Sequence, residues 1–258
     1  MRIGVAATAP LGADVLERLA ARNEIAFLLT RPDAPRGRGR RLAPPPAKVA
    51  AARLGIPVHQ PEKPSLPEDV ERVVVCAYGL YIPPRLLERS LFLNVHPSLL
   101  PRWRGAAPVE RAILAGDEET GVTIHETVAE LDAGGVAAQE RFAIGDADAG
   151  DVFARAGEAA ARLLDSVLAE PRFAPQQGES TYAEKITPED RELHLDDPLD
   201  SWRRVRALSP HIGARAELHG RRLTIWHARL EDGVFVPELV QPDGRSRMRY
   251  DEFLRGLR

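Results

Sequence analysis

An asparagine and a histidine one residue apart, at the end of an apolar run, make a pair that can stabilise an oxyanion and move a proton. Here the pair is Asn94 and His96 in Leu91-Phe92-Leu93-Asn94-Val95-His96-Pro97. Side chains alternate faces along a strand, so the two point the same way. Pro97 and Pro101 cannot continue a central strand. The pair therefore stands at a strand's carboxyl end, where open α/β sheets bind their ligands. An amide N–H can meet a developing negative oxygen, and an imidazole exchanges a proton near neutral pH. The same two residues would also serve simply to cap the strand end. Asp132 lies in Leu131-Asp132-Ala133-Gly134-Gly135, and an aspartate beside glycine is by itself a turn former. His125, between Ile124 and Glu126, is expected to be structural. His194, His211, His219 and His227 have no ligand spacing.

Composition bounds the possibilities. A chain of 258 residues allows one large domain or two modest ones, and 44% hydrophobic residues suffice for a core. The single cysteine excludes a disulfide framework and a cysteine-rich metal site. It is Cys76, in a valine-rich stretch that reads as a buried strand, so it is not expected to be a nucleophile. No run of about 18 apolar residues is present, so no membrane span is expected. The opening MRIGVAA is too short and too soon interrupted to read as a signal peptide, and a cytoplasmic location is expected. A net charge of -3 argues against general nucleic-acid affinity, although it hides how the charge is distributed.

The elements that must position the pair read as α/β. Arg2 to Ala7 is a buried strand, Leu11 to Ala21 a helix and Ile25 to Thr30 a second strand. This β-α-β start predicts a Rossmann-like parallel sheet. No G-x-G-x-x-G follows the first strand, so a dinucleotide site is not expected. Further strands are predicted at Pro57 to Gln60, Arg72 to Tyr78, Leu91 to His96, Gly121 to Val128 and Val136 to Ile144. Helices are predicted at Ala47 to Leu54, Pro83 to Glu88, Pro108 to Ala115 and Ala149 to Leu168. Arg31 to Lys48 differs in kind: Arg31, Arg36, Arg38, Arg40, Arg41 and Lys48 are opposed by Asp33 alone, and glycines and prolines keep the segment irregular. A basic loop suits phosphate contacts, or simply a solvated surface. Pro171 to Ser180 suits a linker. Asp197 opens a short helix to Leu208, and His219-Gly220 and Asp232-Gly233 are turn signals between strand-like runs such as Arg222 to Trp226.

Taken together, these segments resemble the methionyl-tRNA formyltransferases, within the wider group of folate-dependent formyltransferases. Asn-x-His and Ser98-Leu99-Leu100-Pro101 belong to the wider group. Arg102-Trp103-Arg104-Gly105-Ala106-Ala107-Pro108 is similar to the tRNA branch. Leu131-Asp132-Ala133-Gly134 resembles the turn whose aspartate completes the family's catalytic trio. The resemblance thus implies Asn94, His96 and Asp132 as catalytic residues. It implies that Tyr78, Gly79, Leu80 and Ile82, with Ser98, Leu99, Leu100 and Pro101, surround the folate. It implies that Arg31, Arg36, Arg38, Arg40 and Arg41 hold tRNA. Departures are Ala7 and Ala9, where the family usually has Gly-Thr-Pro, and Gly135, where an acidic residue or proline is common.

The expected layout is a formyltransferase domain over 1–170, a linker over 171–190 and a C-terminal tRNA-binding domain over 191–258. The resemblance makes that last domain a small OB-like β-barrel, here shortened. Its tail arginines Arg245, Arg247, Arg249 and Arg255 suit an RNA backbone. The implied reaction moves a formyl group from 10-formyltetrahydrofolate, a co-substrate, to the amino group of initiator methionyl-tRNA. No metal is implied, and a monomer is expected. The alternatives are a formyltransferase for a nucleotide-linked amino sugar, which needs no basic loop, and a non-catalytic RNA-binding relative, which needs no trio. If the basic loop grips RNA, Arg38→Ala with Arg41→Ala should raise the KM for tRNA, or lower turnover with tRNA, and leave folate affinity unchanged. Each lost phosphate contact should also flatten the log-log salt dependence of binding by about 0.7. Normal formylation of tRNA by the double variant at physiological salt would remove the loop from RNA binding.

Overall fold

A computed structural model describes residues 1–36, 39 and 41–257. Two compact units are present: Met1–Arg104 with Gly121–Arg141 and Ala154–Thr181, and Gly105–Thr120 with Phe142–Phe153 and Tyr182–Arg258. The first is built on strands β1 (Arg2–Ala7), β2 (Glu24–Leu29), β5 (Val58–His59), β6 (Arg72–Cys76), β7 (Leu91–His96), β9 (Glu119–Glu126) and β10 (Val136–Ala143). They lie in the order β10-β9-β7-β6-β1-β2-β5. Pairing is parallel from β7 through β6, β1 and β2 to β5. The expected parallel sheet is extended on one side by β9, which pairs with β7 antiparallel.

Continuous apolar runs explain the buried strands: β1, β2 and β6 are covered from their second residue onward. One face carries Phe27, Leu29, Val73, Val75, Tyr78 and Phe92 in a single core cluster. Helix α1 (Pro10–Ala20) buries Leu11, Gly12, Val15, Leu16 and Leu19. Helix α5 (Ala149–Val167) buries Ala156, Ala159, Ala160 and Leu164. Proline stands at the first turn of α1, α2 (Pro46–Arg53), α3 (Pro84–Leu87), α4 (Pro108–Ala115) and α6 (Pro198–Leu208). Its fixed φ suits that position and its missing N–H costs nothing there.

Two expectations are corrected by short elements. Arg31 to Lys48 is not irregular throughout: β3 (Ala34–Arg36) and β4 (Arg41–Ala43) form an antiparallel ribbon, with Pro35 opposite Leu42. Prolines exclude a central strand, but in a two-stranded ribbon both strands are edges and Pro35 is tolerated. Strand β6 ends at Cys76 rather than Tyr78, because Ala77 turns to φ 48°.

The second unit holds α4, α6, two-residue β11 (Tyr182–Ala183) and a four-stranded antiparallel sheet. Its strands are β12 (Ala214–Leu218), β13 (Arg221–Glu231), β14 (Val234–Pro242) and β15 (Met248–Arg249), followed by α7 (Tyr250–Arg255). His219-Gly220 and Asp232-Gly233 all have positive φ and join the hairpins as mirror-image turns. The linear order β12-β13-β14-β15 is that of a small β domain with an open sheet among the described residues. Two-residue β8 (Arg104–Gly105) completes the strands.

Gly12 lets α1 approach the sheet. A Cβ there would stand 2.5 Å from the Cys76 carbonyl oxygen and 2.8 Å from the Ala7 Cβ. Overpacking costs about 1–3 kcal/mol, against about 1 kcal/mol that alanine gains over glycine in a helix. Gly12→Ala should therefore lower the urea midpoint of unfolding. A raised midpoint would mean that α1 is free to move away from the sheet.

Candidate active site

Three strand ends build the site. The β6–β7 register sets Val75 beside Asn94 and Cys76 beside Val95. On the other side, β9 sets His125 opposite Asn94 and Thr123 opposite His96. Side chains alternate, so Asn94, His96, Thr123 and His125 share one face. Asp132 reaches them from the turn after β9.

Hydrogen-bond chemistry fixes both imidazoles. His96 Nε2 lies 2.8 Å from the Trp103 carbonyl oxygen. A carbonyl only accepts, so Nε2 carries the proton and donates. Nδ1 then has the lone pair, and it faces Asp132 Oδ2 at 3.6 Å. In His125 the tautomer is reversed, because Nδ1 lies 2.8 Å from the Glu126 carbonyl oxygen. Asn94 Nδ2 stands 3.0 Å from His125 Nε2 and 3.3 Å from Asp132 Oδ1. The side chain of His96 is only 5% exposed and that of Asp132 10%. Burial pushes the His96 pKa below the ordinary imidazole value. The Asp132 carboxylate and the Trp103 carbonyl pull it upward, His125 pushes it further down, and burial dominates.

Asp132 sits at φ 50° and Trp103 at φ 64°, in the left-handed region that side chains disfavour. Both are held from outside. Gln176 Nε2 donates to the Asp132 carbonyl at 2.7 Å and the Gly134 carbonyl at 3.0 Å. Arg104 in turn donates to Gln176 Oε1 at 2.7 Å. The Trp103 N–H donates to Thr181 Oγ1 at 2.9 Å. Gly134 must be glycine, since a Cβ there would strike the Glu126 carbonyl oxygen.

The loop after His96 is equally well tied. The Ser98 hydroxyl donates to the Arg102 carbonyl at 2.6 Å. Thr123 Oγ1 donates to the Ser98 carbonyl at 2.7 Å and accepts the Leu100 N–H at 3.1 Å. Gln139 donates to the Leu100 carbonyl at 2.8 Å. The Leu100-Pro101 bond is cis. Ser98 and Leu100 are buried, and Leu99 and Pro101 half-buried. In the other expected folate segment, the Tyr78 and Ile82 side chains pack into the core and Leu80 packs against it. Gly79 between them is exposed and has φ 77°, and the Tyr78 carbonyl accepts from the Thr8 hydroxyl at 2.8 Å.

The structure thus brings Asn94, His96 and Asp132 together. Among the expected RNA residues, Arg41 is exposed, and the Arg31 side chain lies beside Gly79. Arg38, Arg40 and the Arg36 side chain lie outside the described residues. In the tail, Arg247 covers the Trp226 ring at 3.5 Å, and Arg249 and Arg255 pair with Asp251. Cys76 is fully buried, as the valine-rich run predicts, and burial raises its thiol pKa. Two residues of the site were missed in the sequence. His125, expected to be structural, contacts Asn94. Gln176, inside the expected linker, holds the Asp132 turn. The signal for His125 was Thr123-Ile124-His125, a second polar pair two residues apart, which mirrors Asn94-Val95-His96 once β9 is known to run against β7.

An asparagine and a histidine at a strand end, with an aspartate from a nearby turn, stand on a Rossmann-like sheet, and residues 1–168 match the family described as Formyl transferase. Methionyl-tRNA formyltransferase from Methylococcus capsulatus is 42% identical, covering 98% of this chain and 96% of the relative. The solved methionyl-tRNA formyltransferase from Clostridium thermocellum superposes with a TM-score of 0.67 at 17% identity, covering 94% of this chain and 98% of that one. HypX from Aquifex aeolicus, solved in complex with tetrahydrofolic acid, superposes with a TM-score of 0.68 at 18% identity. It is matched over 98% of this chain, which spans 46% of HypX, about half its length. The chain belongs to the methionyl-tRNA formyltransferase family of formyl transferases. No helix among the described residues is long and apolar enough to cross a membrane.

The His96 environment carries a pH signature. Its pKa is lowered on folding, so just below the unfolded value of about 6.5 the unfolded chain binds the proton first. Stability should then fall as pH drops from about 6.5 toward the folded value, by at most about 1.4 kcal/mol per pH unit from this group. His96→Gln should remove that part of the slope in urea unfolding. An unchanged slope would mean that His96 is not held neutral.

Proposed function

We propose that the chain transfers a formyl group from 10-formyltetrahydrofolate to the amino group of initiator methionyl-tRNA. The observation that carries this reading is the grouping of Asn94 and His96, at the end of β7, with Asp132, from the turn after β9, in a chain of this family. In this reading residues 1–170 carry the chemistry, 171–190 link, and 191–258 face RNA together with the basic loop. The pterin lies between the Tyr78 to Ile82 turn and the Ser98 to Pro101 loop, which leave neighbouring strands, with the formyl group toward His96.

The chemistry follows from the hydrogen-bond pattern. The methionyl amine attacks the formyl carbon, a C–N bond forms and the formyl oxygen becomes an oxyanion. Of the two acceptors that face Asn94 Nδ2, Asp132 Oδ1 at 3.3 Å is the more distant. The N–H on that side is the one the oxyanion recruits. The attacking nitrogen gives its proton to His96 Nδ1, the only His96 nitrogen with a lone pair. A lowered pKa keeps that nitrogen unprotonated at neutral pH, ready for the step. Asp132 at 3.6 Å stabilises the resulting imidazolium. His96 then delivers the proton to the departing folate nitrogen as its C–N bond breaks. No covalent enzyme intermediate is required.

A formyl-transfer assay with charged initiator tRNA and a nucleotide-linked amino sugar as parallel acceptors tests the reading. Transfer to tRNA alone is expected. Asn94→Ala, His96→Ala and Asp132→Ala should each lower turnover by at least about 100-fold with the fold intact, since each removes transition-state stabilisation. Near-normal turnover in Asp132→Ala would remove that residue from the mechanism, and transfer to the sugar alone would overturn the choice of acceptor.

A further inference from the structure

On the reading proposed above, Asn94 offers an N–H to the formyl oxygen, so something must fix which way its amide faces. A primary amide can present either its oxygen or its NH₂ group after a half-turn about its last bond, and only its neighbours decide. His125 is 1% exposed and lies opposite Asn94 across the β7–β9 pair. Its Nδ1 donates to the Glu126 carbonyl at 2.8 Å, which leaves Nε2 as an acceptor 3.0 Å from Asn94 Nδ2. Turned over, the amide would set its oxygen against this lone pair and against Asp132 Oδ1.

Asp132 alone would be a poor guide for the amide. Its contact with Asn94 is longer, at 3.3 Å, and its environment changes as charge develops on His96. His125 is anchored to main chain and keeps its lone pair aimed at Asn94 throughout. It also stands 3.6 Å from Asp132 Oδ1, so the carboxylate lies between two imidazoles. We infer that His125 is a positioning residue for the transfer: its Nε2 accepts one Asn94 N–H and so holds the other toward Asp132 and the formyl oxygen. His125 acts through Asn94 and is assigned no contact with either substrate.

The test has two arms on the full chain. In the first, the seven histidines are labelled with ¹⁵N and their ring tautomers are read from two-bond ¹H–¹⁵N spectra. The His125 signals are assigned by their loss in His125→Gln. A protonated Nδ1 and an unprotonated Nε2 are expected, opposite to His96. A protonated Nε2 would overturn the inference. The second arm measures turnover. His125→Leu removes the acceptor and should lower kcat on the order of 10- to 100-fold, the range for a misplaced reacting group, with both KM values little changed. In His125→Gln the Oε1 atom reaches the place of Nε2 and should restore most of the loss. Wild-type kcat in a folded His125→Leu, or a Gln variant no better than the Leu variant, would overturn the inference. If His125→Leu does not fold, the tautomer and the Gln variant decide. If the wild-type chain transfers no formyl group at all, the functional reading fails, and the tautomer still decides whether Asn94 is held as inferred.

Discussion

The antiparallel register of β7 and β9 is the constraint on which the rest of the site depends. Side chains on a strand repeat every second residue, so a slip by one residue would send every polar group of β9 to the other face. In the observed register Asn94 faces His125 and His96 faces Thr123. The first pair fixes the amide. The second ties the loop, because the Thr123 hydroxyl holds both the Ser98 carbonyl and the Leu100 N–H. One register therefore places the reacting groups and shapes the loop beside them. On its other edge β7 pairs in parallel with β6, which pairs in turn with β1.

Backbone strain collects around the same groups. Of the non-glycine residues with positive φ, Ala77, Trp103 and Asp132 all border this site, and His219 and Asp232 are hairpin turns. Each such residue costs about 1–3 kcal/mol and persists only where its surroundings over-determine it. Those surroundings are visible. Thr181 takes the Trp103 N–H, Gln176 takes the Asp132 carbonyl, and the Ala77 carbonyl accepts the Ala9 N–H. The Trp103 carbonyl is thereby aimed at His96 Nε2, so the strain at Trp103 fixes the tautomer of a residue seven positions away.

Much of this was legible in the sequence, and the rest was not, for definite reasons. Apolar runs marked β1, β6 and β7, and prolines marked helix starts, because both signals are local. Asn94 and His96 were legible because a period of two and a following proline place them on one face at a strand end. Asp132 was not legible from its own surroundings, since an aspartate before Ala-Gly-Gly is a turn former in any protein; only the family resemblance raised it. His125 and Gln176 depend on which strands and segments meet, which periodicity does not encode. The ribbon within Arg31 to Lys48 was missed because its prolines were weighed as if every strand were central.

The distances around the site fall into two groups, and the division bears on the chemistry. Bonds that anchor the site to main chain are short: 2.8 Å from His96 to Trp103, 2.8 Å from His125 to Glu126, 2.7 Å from Gln176 to Asp132. The Asp132 carboxylate stands farther from the two groups it faces on β7, 3.3 Å from Asn94 and 3.6 Å from His96. The 3.3 Å contact is just beyond the usual hydrogen-bond range of about 2.7–3.2 Å, and at 3.6 Å His96 and Asp132 are not hydrogen-bonded. Catalytic contacts commonly tighten only in the complex. In the proposed transfer, the main-chain anchors hold His96, His125 and the Asp132 turn in place while charge appears on the formyl oxygen and on His96.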